Sequence, residues 1–316
     1  MRFIDAAAID QALDVPALVE ALREAFRGGI TVPTRHHHTV PRAGAADATF
    51  LLMPAWNDDP ASFIGTKLVT IFPDNATRGQ ASVLGTYVLM EGATGRVVAL
   101  LDGVALTLRR TAAASALAAT YLARPDARRL LMVGAGALAP HLIAAHAAVR
   151  PIREVAIWNH RPERAEALAA RLDRPGLAVR AVTDLDAEIA AADIVSAATL
   201  STEPLVHGEA LRPGTHVDLV GGFTPHMREA DDAAIARARV HVDTRAGATK
   251  EAGDITQPLA SGALAEGAIL GDLFDLAAGR SIGRQGAGEI TLFKSVGTAI
   301  EDLAAAALVY RRLARA

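Results

Sequence analysis

The stretch Leu130–Ala139, LLMVGAGALA, constrains the fold of this chain more than any other. An apolar run of strand type leads directly into Gly134-x-Gly136-x-x-Ala139 and then into an Ala- and Leu-rich helical pattern. In a dinucleotide-binding fold the first glycine makes the tight turn and the second lets backbone approach a pyrophosphate. The third small residue packs helix against strand. The helix N-terminus then offers N–H groups and the positive end of its dipole to phosphates. Gly134, Gly136, Ala137 and Leu138 are therefore expected to contact a nucleotide cofactor.

The next strand-like run, Glu154–Trp158, ends at Asn159-His160-Arg161. NAD enzymes commonly place an Asp or Glu near this point to bind the ribose 2′-OH. Asn159 removes the repulsion that such a carboxylate would exert on a 2′-phosphate, and a guanidinium such as Arg161 can bind that phosphate with two parallel hydrogen bonds. NADP(H) is thus the preferred cofactor, with NAD(H) second. In the competing reading Arg161 and Arg164 are solvated residues opening a helix.

The middle of the chain alternates strand and helix patterns, with further strands expected at Ala178–Val182, Ile194–Ala197, His216–Val220 and Val240–Asp243. Such alternation indicates βαβ units and a doubly wound parallel α/β sheet. Ligands of these sheets bind beyond the carboxyl ends of the strands, where Thr199 and Val220 fall. Asp218–Gly222 ends a strand at the same edge, and Asp243–Asp254 reads as a charged loop. The N-terminal third differs: a capped helix over Asp14–Ala25, an irregular segment over Val32–Ala48, then short strands that suggest an antiparallel sheet. The last helix, Thr298–Ala314, has no strand to serve. The expected organisation is a dinucleotide-binding domain, 120–292, inserted in a second α+β domain formed by 1–119 plus 293–316.

A net charge of −3 offers no basic field for nucleic acid, and the absence of Cys excludes disulfides and thiolate chemistry. Leu130–Val149 lacks Asp, Glu, Lys and Arg, but reads as core strand plus core helix; no membrane segment is expected, and a cytoplasmic location is the default. Three cations stand out earlier. Lys67 lies in an otherwise apolar strand, FIGTKLVTIF, where lost solvation calls for an anionic partner or a lowered pKa, unless it snorkels at a strand edge. Arg110 opens RTAAAS in an apolar helix, as a carboxylate clamp or an ordinary ion pair. Arg35 precedes three histidines, whose side chains alternate faces in an extended chain and cannot converge on one ion; no metal site is expected.

Taken together, LLMPAW (51–56), KLVT (67–70), VLGTYVLMEGATG (83–95), LDGVALTLRRTAAASALAATYLA (101–123), VGAGALA (133–139), GGFTPHMREADD (221–232) and LFKSVGTAIEDLAAA (292–306) give a chain that resembles the ornithine cyclodeaminase/mu-crystallin family over nearly its whole length. The resemblance implies a homodimer built through the N-terminal domain, a bound nicotinamide nucleotide and amino- or imino-acid substrates. By position it makes Lys67 and Arg110 the residues at the substrate carboxylate, and Arg35 a further substrate arginine. It also puts Thr86 near the substrate and Val296 near the nicotinamide. Two departures bear on activity. Leu51 and Phe223 stand where ornithine cyclodeaminases carry carboxylates, so the distal ammonium of a diamino acid would lack its charge partner, a loss of about 1–3 kcal/mol or more. Cyclodeamination is therefore disfavoured. The pattern instead resembles the branch that reduces cyclic ketimines, Δ1-pyrroline-2-carboxylate to proline and Δ1-piperideine-2-carboxylate to pipecolate, with Phe223 and Leu51 giving the ring an apolar wall. The alternatives are ornithine cyclodeaminase, an alanine-type amino-acid dehydrogenase, and a crystallin-like NADPH-dependent binding protein.

Overall fold

A computed structural model describes residues 1–59, 62–265 and 267–315. The chain forms two compact units, Met1–Thr111 with the segment from Thr298 onward, and Ala112–Gly297.

The first unit opens with strand β1 (Arg2–Ile4), helix α1 (Ala6–Ala12) and helix α2 (Val15–Arg27). Asp14 caps α2 by accepting from Ala17 N, and a proline sits in its first turn, where the missing N–H has no helical acceptor to lose. Leu18, Val19, Leu22, Ala25 and Phe26 form its buried stripe. Strands β2 (Ile30–Thr31), β3 (His36–Val40), β4 (Ala48–Asn57), β5 (Phe63–Ile71), β6 (Val83–Glu91) and β7 (Val97–Asp102) follow, and helix α3 (Gly103–Leu122) begins in this unit. Strands β4 to β7 make an antiparallel meander. β1 adds in parallel at the β7 edge, and β2 and β3 both pair with β4. His36–Val40 falls within the segment expected to be irregular. All five residues are exposed, so the buried/polar alternation that signals a strand is absent and pairing with β4 alone defines it.

The second unit carries β8 (Arg129–Val133), α4 (Ala139–Val149), β9 (Glu154–Trp158), α5 (Pro162–Leu172), β10 (Ala178–Val182), α6 (Leu185–Ala191), β11 (Ile194–Ala197), β12 (His216–Leu219), α7 (Asp232–Arg237), β13 (Arg239–Val242), α8 (Arg245–Glu251), α9 (Gly253–Ser261), β14 (Gly271–Asp272), α10 (Leu273–Ala277) and β15 (Thr291–Lys294). Its eight strands are all parallel, in the order β10-β9-β8-β11-β12-β15-β13-β14. Winding runs one way from β8 through β9 to β10 and the other way from β11 to β12, which sets the topological switch between β8 and β11. β15 pairs with β12 and so separates it from β13, the strand that follows β12 in the chain. The four residues Thr291–Lys294 are buried on both faces, so they carry no alternation, and the terminal lysine masks their strand character. Because β15 pairs inside this sheet, the unit extends to Gly297, past the 292/293 boundary read from the sequence.

The final helix, α11 (Ala299–Arg315), belongs to the first unit, where it packs on β4, β5, β6 and α2. Among the described residues no helix is long and apolar enough to cross a membrane.

Candidate functional site

In the second unit, the glycine turn lies at the carboxyl ends of β8 and β11. Gly134 adopts φ +108°, and a Cβ there would come within 2.7 Å of the Ala198 carbonyl oxygen and 3.3 Å of the Thr199 methyl. The first glycine is thus required by backbone conformation and by close approach of the strand following β11. Gly136 has the opposite environment: it is exposed, and nothing lies within 4 Å of the position of a Cβ. Ala137 is exposed, and Leu138 is the N-cap of α4 with no side-chain capping bond. An open glycine followed by an uncapped helix end, at a topological switch, fits the pyrophosphate of a nicotinamide dinucleotide. The Asn159 side chain ties this turn to the end of β9. Its Oδ1 accepts from Ala135 N at 3.3 Å and its Nδ2 donates to the Arg161 carbonyl at 3.1 Å. His160 and Arg161 are exposed beside it.

Buried carboxylates fasten the neighbouring loops. Glu229 Oε1 accepts from Thr199 N at 2.7 Å and Thr199 Oγ1 at 2.8 Å, while Oε2 accepts from Gly221 N at 2.7 Å and Gly222 N at 3.4 Å. Burial raises the Glu229 pKa, against the pull of Lys294. Lys294 Nζ lies 3.0 Å from Asp254 Oδ2, and Asp254 Oδ1 accepts from Glu229 N and Ala230 N. Asp243 Oδ2 accepts from Val296 N at 2.8 Å and Gly297 N at 2.7 Å. Thr199 and Val296 are therefore held in place by backbone and hydroxyl bonds to carboxylates. Val220 is buried at the end of β12, whereas Phe223, three residues on, is 41% exposed.

Asp218–Gly222 ends β12 at the carboxyl edge, with Asp218 itself fully buried in the strand, accepting from Ser196 Oγ at 2.7 Å and lying 3.1 Å from His146 Nε2 on α4. One sequence reading is corrected here. Asp243–Asp254 is not a loop, because α8 and the start of α9 occupy it; Thr244 caps α8 by accepting from Gly247 N.

The first unit contains a buried ionic cluster. Met53, Lys67 and Tyr87 stand in register across β4, β5 and β6, and all three are buried on the face that α11 covers. Lys67 is not at a strand edge. Its Nζ lies 3.0 Å from Oδ1 and 2.8 Å from Oδ2 of Asp302, in the first turn of α11, and 3.4 Å from Thr107 Oγ1 of α3. Arg110, also on α3, donates from Nε to Asp302 Oδ1 at 3.0 Å and from Nη1 to Glu301 Oε2 at 2.5 Å. Burial and the neighbouring Arg110 lower the Lys67 pKa to about 8, against the Asp302 carboxylate, with Arg35 adding a smaller push downwards. The Asp302 carboxyl stays below its ordinary value because Arg110 and Lys67 outweigh its burial. Lys67 is thus a buried ammonium that holds its proton less tightly than an ordinary lysine, beside a guanidinium paired with both carboxylates of the helix.

Leu51 is buried on the Lys67 face, two residues from Met53. Thr86 is not brought to this cluster. It is adjacent to Tyr87 on β6, is exposed, and points to the opposite face of the sheet by strand alternation. Asp302 and Glu301 were missed in the sequence, although an acidic pair in an apolar, Ala-rich helix was the available signal: both are fully buried. His36, His37 and His38 are exposed, and no group of three metal-ligating side chains occurs among the described residues.

The fold and these groups define a nucleotide-binding α/β protein with an added α+β unit that holds a buried cluster of paired charges, Lys67 and Arg110 against Asp302 and Glu301. The description "Ornithine cyclodeaminase/mu-crystallin family" matches residues 4–316, and the chain belongs to that family. It is 42% identical to Delta(1)-pyrroline-2-carboxylate reductase of Paracoccus denitrificans over 288 residues, 89% of this chain and 90% of that protein. The structure of Thermococcus litoralis Delta(1)-pyrroline-2-carboxylate reductase in complex with NADH and L-proline superposes with a TM-score of 0.93 at 32% identity, covering 100% of this chain and 98% of that one. An archaeal alanine dehydrogenase dimer with bound NAD gives 0.90 at 25% identity, covering 100% and 96%.

Proposed function

We propose that this protein is an NAD(P)H-dependent reductase of cyclic ketimines, converting Δ1-pyrroline-2-carboxylate to proline and the six-membered homologue to pipecolate. The observation that carries the reading is the buried Lys67–Asp302–Arg110 cluster: one side chain able to donate a proton beside another able to hold a carboxylate. Similarity to reductases that bear this name supports it. A bound reduced nicotinamide supplies the hydride for C2 of the imine. Arg110, with Arg35, holds the substrate carboxylate by charge-assisted hydrogen bonds. Lys67 donates the proton that the ring nitrogen takes up, as a general acid whose pKa of about 8 suits neutral solution. Leu51 in the first unit and Phe223 in the second offer no carboxylate to the distal ammonium of a diamino acid, which disfavours ornithine as substrate.

NADP(H) is the preferred cofactor in this reading, supported by Asn159 in place of a carboxylate and by the exposed Arg161 beside it; the nucleotides named with the similar structures are NADH and NAD. The active assembly is a homodimer in the cytoplasm. Support for the dimer comes from the sheet face opposite Lys67, where Leu52, Trp56, Ile64, Leu68, Leu84 and Val88 all keep exposed surface in the single chain. The test is imine-dependent oxidation of NAD(P)H. The wild type is expected to turn over Δ1-pyrroline-2-carboxylate, and Lys67→Ala to lose about 10²–10⁴-fold in kcat/KM, the range of general-acid catalysis. A near-normal Lys67→Ala enzyme would remove Lys67 from the chemistry.

A further inference from the structure

We propose that Asp302 is a positioning residue of this reaction: its single carboxylate fixes Lys67 and Arg110 relative to each other and keeps Lys67 charged until the imine nitrogen takes its proton. The proposal rests on the ketimine-reductase reading above and extends it to a residue of the C-terminal helix.

The geometry is that of a bridge. Asp302 Oδ1 takes Arg110 Nε and Lys67 Nζ, each at 3.0 Å, and Oδ2 lies 2.8 Å from the same Nζ. The carboxylate is fully buried and Lys67 is 3% exposed, so water screens neither charge. Two cations also act on Lys67 and disfavour its charge, Arg110 from α3 and Arg35 from the segment before β3. Thr107 of α3 contributes a hydroxyl. Tyr87, in register on β6, is held neutral, because burial first and Asp302 second raise its pKa well above the ordinary value. Glu301 engages the far side of Arg110 through Nη1. Asp302 is therefore the carboxylate that offsets the repulsion between Lys67 and the two arginines, and α11 delivers it there because its first turn meets the Lys67 face of the sheet.

In the step itself, hydride adds to C2 and the C=N π pair moves to nitrogen, which takes a proton from Lys67 Nζ. The neutral amine left beside Asp302 regains a proton from solvent. With Asp302 neutralised, Lys67 would lose its proton at lower pH, because an opposite charge at this range stabilises the charged form.

The experiment is the pH dependence of kcat for Δ1-pyrroline-2-carboxylate in the wild type, Asp302→Asn, Asp302→Glu and Lys67→Met, with dinucleotide binding followed by fluorescence as the folding control. The alkaline limb of the wild type is expected to move down by about 1–3 pH units in Asp302→Asn, the effect of losing one opposite charge. Asp302→Glu is expected to return the limb towards its wild-type position while KM for the imine stays raised, and it carries the test if the Asn variant fails to fold. Lys67→Met should have no such limb. An Asp302→Asn enzyme slowed at every pH with its limb unmoved overturns the proposal alone, as does an Asp302→Glu limb no nearer the wild type than that of Asn. A limb that survives in Lys67→Met overturns the role of Lys67 itself, and the proposal with it.

Discussion

The Cα of Gly134 approaches the carbonyl of Ala198 so closely that a β-carbon would sit 2.7 Å from the oxygen, whereas Gly136, two residues on, faces open space. The two glycines of one fingerprint thus answer to different demands. Gly134→Ala forces a side chain into a left-handed conformation and a backbone clash, and is expected to destabilise the fold by about 1–3 kcal/mol or more. At Gly136 a Cβ has no neighbour within 4 Å, so Gly136→Val should leave thermal unfolding close to wild type while dinucleotide binding is lost. Differential scanning calorimetry beside fluorescence titration separates the two. A Gly136→Val protein that still binds the dinucleotide would remove this turn from the pyrophosphate site.

In the proposed reading, cofactor choice rests on Asn159. Asn159→Asp places a carboxylate at the end of β9, next to the exposed Arg161. KM for NADPH is expected to rise about tenfold or more, because the new carboxylate repels the 2′-phosphate and competes for Arg161, while KM for NADH does not rise. Arg161→Ala should act in the same direction. A wild type that prefers NADH contradicts this part of the reading.

Acid stability has a specific source in the second unit. An unfolded histidine titrates at about 6.5, but desolvation inside the sheet holds His216 down to about 3, where its Nδ1 lies 3.0 Å from Thr291 Oγ1. Between these values the unfolded chain binds a proton that the folded chain does not, so stability falls as pH drops from about 6.5 towards 3. His241, held down to about 4 by burial, adds to the same slope. Chemical denaturation from pH 8 to pH 4 should show the decline, and His216→Asn should make it shallower. An unchanged slope in that variant would assign the decline to other groups.

The proposed dimer is open to a direct test. Leu68 alternates with Lys67 on β5 and therefore stands on the other face of the sheet, half-buried in the single chain. Leu68→Arg is expected to lower the mass measured by light scattering to that of one chain, with the helical circular-dichroism signal kept. A variant that remains dimeric would move the interface elsewhere.

What the sequence disclosed, and what it concealed, follows from periodicity and sequence distance. The fingerprint was legible because its strand, turn and helix are contiguous. Lys67 was legible because a lone ammonium in an apolar strand needs an explanation. The partner that explains it, Asp302, is 235 residues away, and only the return of α11 to the first sheet brings the two together. Strand β15 was hidden because burial on both faces removes alternation, and β3 because exposure of all its residues does the same. Thr86 was inferred from resemblance by position. Strand alternation, which sends adjacent residues to opposite faces, puts it away from the cluster that Tyr87 joins.

The most direct measurement of the central claim pairs two assays on one preparation: NADPH and NADH oxidation with Δ1-pyrroline-2-carboxylate, and ammonia release from ornithine. The account expects rapid, imine-dependent oxidation that yields proline, with no ammonia from ornithine, because Leu51 and Phe223 offer no carboxylate to a distal ammonium. Ammonia and proline formed from ornithine, with the imine left unreduced, would contradict it and make the protein a cyclodeaminase.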